Sequence, residues 1–213
     1  TIRAILERPF LIHGLATRKN VEDKIKDVLV QVGLEPAEQF IDKFPHELSG
    51  GQLQRINIAR AISVGPELLL ADEPTSMLDV SIRIIIMNMI KKFRDEDNIS
   101  YLYITHNLAG ARYIADRIAV MYAGMLMEIG PAEEVIQKSF HPYTKLLRSA
   151  APQPEKGFRD GKLTTKGDIP SLVNPPSGCR FHPRCPQATP ECSKSIPEMR
   201  EVEEGHHVRC LLY

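Results

Sequence analysis

The chain has no excess charge of either sign, no long apolar run and no cysteine before residue 179. Lys plus Arg number 27, as do Asp plus Glu, so the net charge is zero. Such a balance gives no electrostatic footprint for nucleic acid and no polybasic anchor for a membrane surface. Apolar runs such as Ile84–Met87 fall far short of the roughly 20 residues that span a bilayer. The opening residues do not read as a cleavable leader, so none is expected. These absences predict a soluble, cytoplasmic protein that meets a membrane only through a partner. All four cysteines lie between residues 179 and 210. In a reducing compartment, that clustering favours a metal or cofactor site over a disulfide framework. The 213 residues suffice for one sizeable core and a small appendage.

What is present centres on Leu48-Ser49-Gly50-Gly51-Gln52. Ser49 is a helix-capping type, the glycines let a ligand approach the backbone, and Leu53, Ile56, Ala59 and Ile62 come next at helical spacing. A helix start offers unpaired N–H groups and partial positive charge, which suit a phosphate. Downstream, Leu68–Ala71 run apolar into Asp72-Glu73-Pro74-Thr75, followed by Ser76-Met77-Leu78-Asp79 and later Tyr101-Leu102-Tyr103-Ile104-Thr105-His106.

This order and spacing resembles the ATP-binding subunit of an ABC transporter. Leu48–Gln52 is similar to the signature motif, Leu68–Glu73 to Walker B with its catalytic glutamate, Ser76–Asp79 to the D-loop and His106 to the switch histidine. Four motifs in order over about 60 residues are far more specific than any one of them. The resemblance implies ATP and Mg²⁺ as ligands, with Asp72 reaching the Mg²⁺. Glu73 would be general base and His106 would orient the attacking water. Two subunits would face head to tail, as a homo- or heterodimer. Ser49, Gly50, Gly51 and Gln52 would serve the partner's nucleotide, and Ser76 and Asp79 would sit at the junction. Family members usually carry a small residue where Met77 stands.

No Gly-x-x-x-x-Gly-Lys-Ser/Thr occurs in the 213 residues, and the family's glutamine loop is missing as well. Thr1–Leu15 resembles the family's stretch just downstream of those elements. The expected fold is therefore an α/β P-loop NTPase sandwich, truncated at its N-terminus. Residues 1–64 would be a helical subdomain, 65–140 part of the α/β core, and 141–213 an irregular extension bearing the cysteines. Without the phosphate loop and its lysine, the polypeptide alone is expected to be inactive.

In chain order, helices are expected over 20–33, capped by Asn20, and over 36–43, opened by Pro36. Glu67–Ala71 reads as a short buried strand. Residues 79–95 read as a helix with Ile82, Ile85, Ile86, Met89, Ile90 and Phe93 inward. A strand over Ile99–Thr105 and a helix over Asn107–Ala115 come after it. Arg117–Tyr122 and Met125–Ile129 read as a hairpin about Ala123-Gly124. Further helices cover Pro131–Lys138 and His141–Ala150. Alternating strands and helices argue for parallel strands. Proline-rich 151–178 reads as a linker or irregular extension.

The tail Gly178-Cys179-Arg180-Phe181-His182-Pro183-Arg184-Cys185-Pro186, then Cys192 and His207-Val208-Arg209-Cys210, resembles the C-terminal extension of oligopeptide and dipeptide importer ATPases. His141-Pro142-Tyr143 matches the start of that extension. The cysteine spacing is C-x5-C-x6-C-x17-C. Some members of the family bind a [4Fe-4S] cluster through such cysteines, and four thiolates suit one chemically. Zinc sites usually show shorter pairs, so zinc is the alternative, with His182, His206 and His207 as spare ligands. Four reduced cysteines without metal are the third reading.

The function implied is an ATPase subunit that powers peptide import from the cytoplasmic face of the membrane, docked on transmembrane permease subunits and without nucleic acid. The alternatives are a soluble ABC ATPase outside transport and a metal-binding interaction fragment without ATPase activity of its own.

Overall fold

The computed structural model describes residues 1–150 and 170–213. The expected irregular segment 151–178 lies mostly outside the described residues. The chain forms two compact units, Thr1–His106 and Asn107–Tyr213.

The first unit opens with α1 (Ile2–Ile12) and α2 (Val21–Gln31). The short α3 (Glu38–Ile41) comes next, then α4 (Gly50–Ile62). Their apolar stripes form one core: Ile2, Leu6, Ile25, Leu29 and Ile56 are fully buried. Each such side chain contributes on the order of 2 kcal/mol. Asn20 does not cap α2 with its side chain. Its Oδ1 instead accepts from the N–H and hydroxyl of Thr17, at 2.7 and 2.9 Å, tightening the preceding turn. The helix expected over 36–43 is reduced to the single turn of α3.

Next come β1 (Leu68–Asp72), α5 (Val80–Asp97) and β2 (Ser100–Ile104). β1 and β2 pair in parallel, Ala71 opposite Tyr103 and Asp72 opposite Ile104. Contrary to expectation, β1 is not buried on both faces. Leu68 and Leu70 are 57% and 71% exposed, and Leu102 and Ile104 of β2 share that open side. On α5, Ile86, Ile90 and Phe93 face inward as expected, but Ile85 is 42% exposed and Met87 is buried in its stead. Asn98, in the left-handed region at φ 54°, ends the helix.

The second unit contains α6 (Leu108–Ile114) and a hairpin of β3 (Arg117–Tyr122) with β4 (Met125–Pro131). α7 (Ala132–Gln137) and α8 (Pro142–Ala150) come after the hairpin. The tail adds β5 (Arg200–Glu203) and β6 (His206–Val208). These strands form an antiparallel sheet in the order β3-β4-β6-β5. Among the described residues the parallel arrangement thus holds for β1 and β2 alone, and the tail pairs with the hairpin.

Candidate functional site

The first turn of α4 is built by its sequence. Ser49 Oγ accepts from the Gln52 N–H at 3.3 Å, and the Gln52 side-chain oxygen accepts from the Ser49 N–H at 3.0 Å. This reciprocal box satisfies two donors that a helix start leaves unpaired. Gly50 has open space where a Cβ would stand. Gly51 does not: a Cβ there would fall 2.8 Å from the Ile82 side chain, so this glycine lets α4 approach α5 closely.

Asp72 and Ile104 end the two parallel strands at the same edge, and Glu73 and His106 project just beyond it. Ligands in parallel α/β sheets bind outside such carboxyl ends. Glu73 lies at φ 44°, a strained conformation for a residue with a side chain. Its N–H donates to the Ile104 carbonyl at 2.9 Å, extending the ladder by one bond. Its carbonyl accepts from the Ser76 N–H at 3.2 Å and the Ser76 hydroxyl at 3.0 Å. Its carboxylate lies 2.8 Å from His106 Nδ1, so a protonated Nδ1 donates to Glu73 Oε1. Both side chains remain accessible, at 40% for Glu73 and 76% for His106. Asp79 Oδ1 accepts from the Ile82 N–H at 2.9 Å and caps α5, while Met77 is 98% exposed.

In the second unit, Cys179, Cys185, Cys192 and Cys210 line one small cavity together with His141, Phe181 and His182. All four are free thiols, three of them buried. Gly178 makes the fold here possible, because a Cβ would clash with the Cys192 carbonyl oxygen. That carbonyl accepts from the Cys179 N–H at 2.8 Å. Burial pushes the Cys179, Cys185 and Cys210 thiols above their ordinary values, while backbone N–H groups at Phe181, Gln187 and Leu212 act against it. The Thr189 N–H and hydroxyl lie 3.4 and 3.3 Å from Cys192 Sγ. The sulfurs share a cavity, yet among the described residues no three His, Cys, Asp or Glu side chains stand in metal-holding geometry. The expected convergence on one ligand is thus met only to the extent of a common cavity. As they stand, the side chains do not form a closed ligand set.

Two of the spare ligands behave differently from expectation. His206 is fully buried and its Nε2 lies 2.8 Å from Oε1 of Glu128, itself fully buried. Glu128 also accepts the N–H groups of Phe140 and His141, at 2.8 and 3.0 Å. His207 Nδ1 is buried without a hydrogen-bond partner among the described residues. His141 has its pKa pushed down to about 4, first by burial and then by the Lys145 charge, and its Nδ1 accepts from the Tyr143 N–H. Glu128 is silent in the sequence, because a lone acid in an apolar strand carries no motif.

The capped Ser-Gly-Gly helix start, and the Asp72-Glu73 pair whose glutamate meets His106 beyond the ends of parallel strands, are set in a fold similar to that of ATP-binding cassettes. Over its whole length the chain is similar to ATP-binding proteins of oligopeptide and dipeptide ABC transporters. The ABC transporter profile matches residues 1–76, and the oligopeptide/dipeptide transporter C-terminal region profile matches 127–192. The chain is 44% identical over its whole length to the oligopeptide transport ATP-binding protein AppF of Bacillus subtilis, spanning 65% of that protein. It is 39% identical over 98% of its length to the dipeptide transport ATP-binding protein DppF of Haemophilus influenzae, spanning 63% of it. The chain therefore spans just under two thirds of the length of these relatives. Among solved structures, the ATP-binding cassette MJ0796 bound to ADP and Pi is similar at TM-score 0.55 and 31% identity, over 62% of this chain and 56% of that one. An inward-facing putative metal-chelate type ABC transporter shares the fold at TM-score 0.57 and 24% identity, over 64% of this chain and 54% of that one.

Proposed function

We propose that this chain supplies the signature, Walker B and switch-histidine portion of an ATPase subunit that powers import of oligopeptides or dipeptides. The observation that carries the reading is the 2.8 Å pairing of Glu73 with His106 at the carboxyl ends of β1 and β2. Glu73 takes the proton of the attacking water, and His106 orients that water and contacts the γ-phosphate. Asp72 would hold Mg²⁺, which would neutralise phosphate charge when bound. Ser49, Gly50, Gly51 and Gln52 face the nucleotide of a second subunit, and Ser76 and Asp79 line the junction between the two.

The open apolar side of β1 and β2 supports the same reading. Parallel sheets are covered on both faces. We assign Leu68, Leu70, Leu102 and Ile104 to contact with the half of the core that carries the phosphate loop. Residues 1–64 then serve as helical subdomain facing the permease, 65–140 as core and 141–213 as extension. Among the described residues no helix is long and apolar enough to cross a membrane. The subunit is read as peripheral on the cytoplasmic face, held there by permease subunits.

We further assign Cys179, Cys185, Cys192 and Cys210 to a structural [4Fe-4S] cluster, with Zn²⁺ as the alternative. The shared cavity and the backbone N–H groups directed at the sulfurs support this. Ligation requires the buried thiols to lose their protons and the sulfurs to close further.

The test of the transport reading is uptake of a labelled dipeptide into vesicles carrying the assembled transporter. ATP should drive uptake and a non-hydrolysable analogue should not. ATP-driven accumulation of another solute, with no peptide uptake, would sink the peptide assignment.

A further inference from the structure

β2 presents two tyrosines to the same side, Tyr101 and Tyr103, and their hydroxyls meet different fates. The Tyr101 hydroxyl is buried with no hydrogen-bond partner among the described residues. The Tyr103 hydroxyl lies 3.1 Å from Thr75 Oγ1, just longer than a usual O–H···O bond. Thr75 is only 6% exposed and sits two residues after Glu73. From these contacts we infer that Tyr103 is a positioning residue for the hydrolytic carboxylate, acting through Thr75. The inference rests on the proposed ATPase activity.

Strain at Glu73 creates the need for such a brace. At φ 44° the residue holds a conformation that costs roughly 1–3 kcal/mol and persists only where neighbours enforce it. On its N-terminal side the enforcement is the bond from the Glu73 N–H to the Ile104 carbonyl. On its C-terminal side Ser76 bonds back to the Glu73 carbonyl twice, and the Leu78 N–H donates to the Thr75 carbonyl at 3.3 Å. Arg83 donates to the Leu78 carbonyl at 3.1 Å. Those contacts brace the turn against itself and against α5. Tyr103–Thr75 ties the middle of the turn to β2, whose next residue is Ile104 and which leads, two further on, to His106. The hydroxyl pair therefore fixes the turn bearing Glu73 to the strand leading to its histidine partner. A carboxylate displaced by about an ångström loses much of its catalytic advantage. Phe in place of Tyr103 would keep the ring and lose only this tie.

The experiment is steady-state ATP turnover by the intact assembled ATPase, comparing Tyr103→Phe, Thr75→Val and their double variant with the parent. Tyr103→Phe and Thr75→Val should each lower kcat about tenfold, the worth of one hydrogen bond. KM should stay within about twofold and the melting temperature should hardly move. The double variant should be no slower than either single, since both remove the same bond. Thr75→Ser, which keeps the hydroxyl, should restore turnover, and Tyr101→Phe should leave it unchanged. A parent-like kcat in Tyr103→Phe, or independent losses in the double variant, would overturn the inference. Glu73→Gln run alongside separates the two levels of claim: if it keeps turnover, the ATPase reading fails. The brace is then judged by hydrogen exchange alone, where Tyr103→Phe should speed exchange at the Ser76 and Leu78 amides and unchanged protection would overturn it.

Discussion

In the proposed reading Glu73 carries the chemistry, and its backbone and side chain are constrained by different neighbours. Ile104 and Ser76 hold the backbone, and His106 holds the carboxylate. Removing the imidazole in His106→Ala should leave nucleotide binding intact and slow turnover by roughly 10²-fold or more, the usual cost of losing the positioning of a reacting group. Single-turnover hydrolysis with labelled ATP measures this directly; a rate within twofold of the parent would remove His106 from the mechanism. Much of this constellation is legible in the sequence, because acid pair, strand end and histidine stand at motif spacing. The strain at Glu73 is not, since nothing in the order Asp-Glu-Pro-Thr announces a positive φ. Gly51 reads in the sequence as room for a ligand, whereas in the fold that room is taken by Ile82.

At the scale of elements, the strands show what periodicity can and cannot reveal. α4 is largely legible: its cap Ser49 and its inward Ile56, Ala59 and Ile62 come from spacing, whereas the reciprocal bond from Gln52 emerges only in the fold. β5 and β6 are not, because four- and three-residue strands are stabilised by pairing with each other and with β4, far away in sequence. What locks that pairing is Glu128. Glu128→Leu should leave His206 and two backbone N–H groups buried and unpartnered, at a cost of about 3–5 kcal/mol. Chemical denaturation reads the difference, and a loss under about 1 kcal/mol would show the pair to be incidental. Tyr101 offers a pH-dependent counterpart on β2. Burial, and after it the Asp97 charge, pushes its phenol up to about 12. A raised phenol pKa stabilises the fold fully below the unfolded value of about 10, and that stability fades as pH rises toward 12. Tyr101→Phe should therefore melt like the parent or up to about 1 kcal/mol more stably at neutral pH, having lost an orphan hydroxyl. Above pH ~10 it should hold its melting temperature while the parent declines. Parallel decline of both proteins would contradict the assignment.

At the scale of the whole molecule, two features call for completion: the open apolar side of β1 and β2, and the cavity of four cysteines. Protein purified without oxygen should be brown and contain iron, and Cys185→Ser should bleach it while lowering thermal stability. A colourless anaerobic preparation with stoichiometric zinc would move the site to the zinc reading, and one with neither metal would leave four reduced thiols. The central claim, however, is that Glu73 is the base of an ATPase whose phosphate loop meets this chain across β1 and β2. It is tested most directly by steady-state ATP turnover of the assembled subunit with Glu73→Gln, measured together with retained nucleotide. The account predicts turnover down by roughly 10²–10⁴-fold with ATP still bound. Turnover within a few-fold of the parent, or loss of ATP binding at unchanged rate per bound nucleotide, would contradict it.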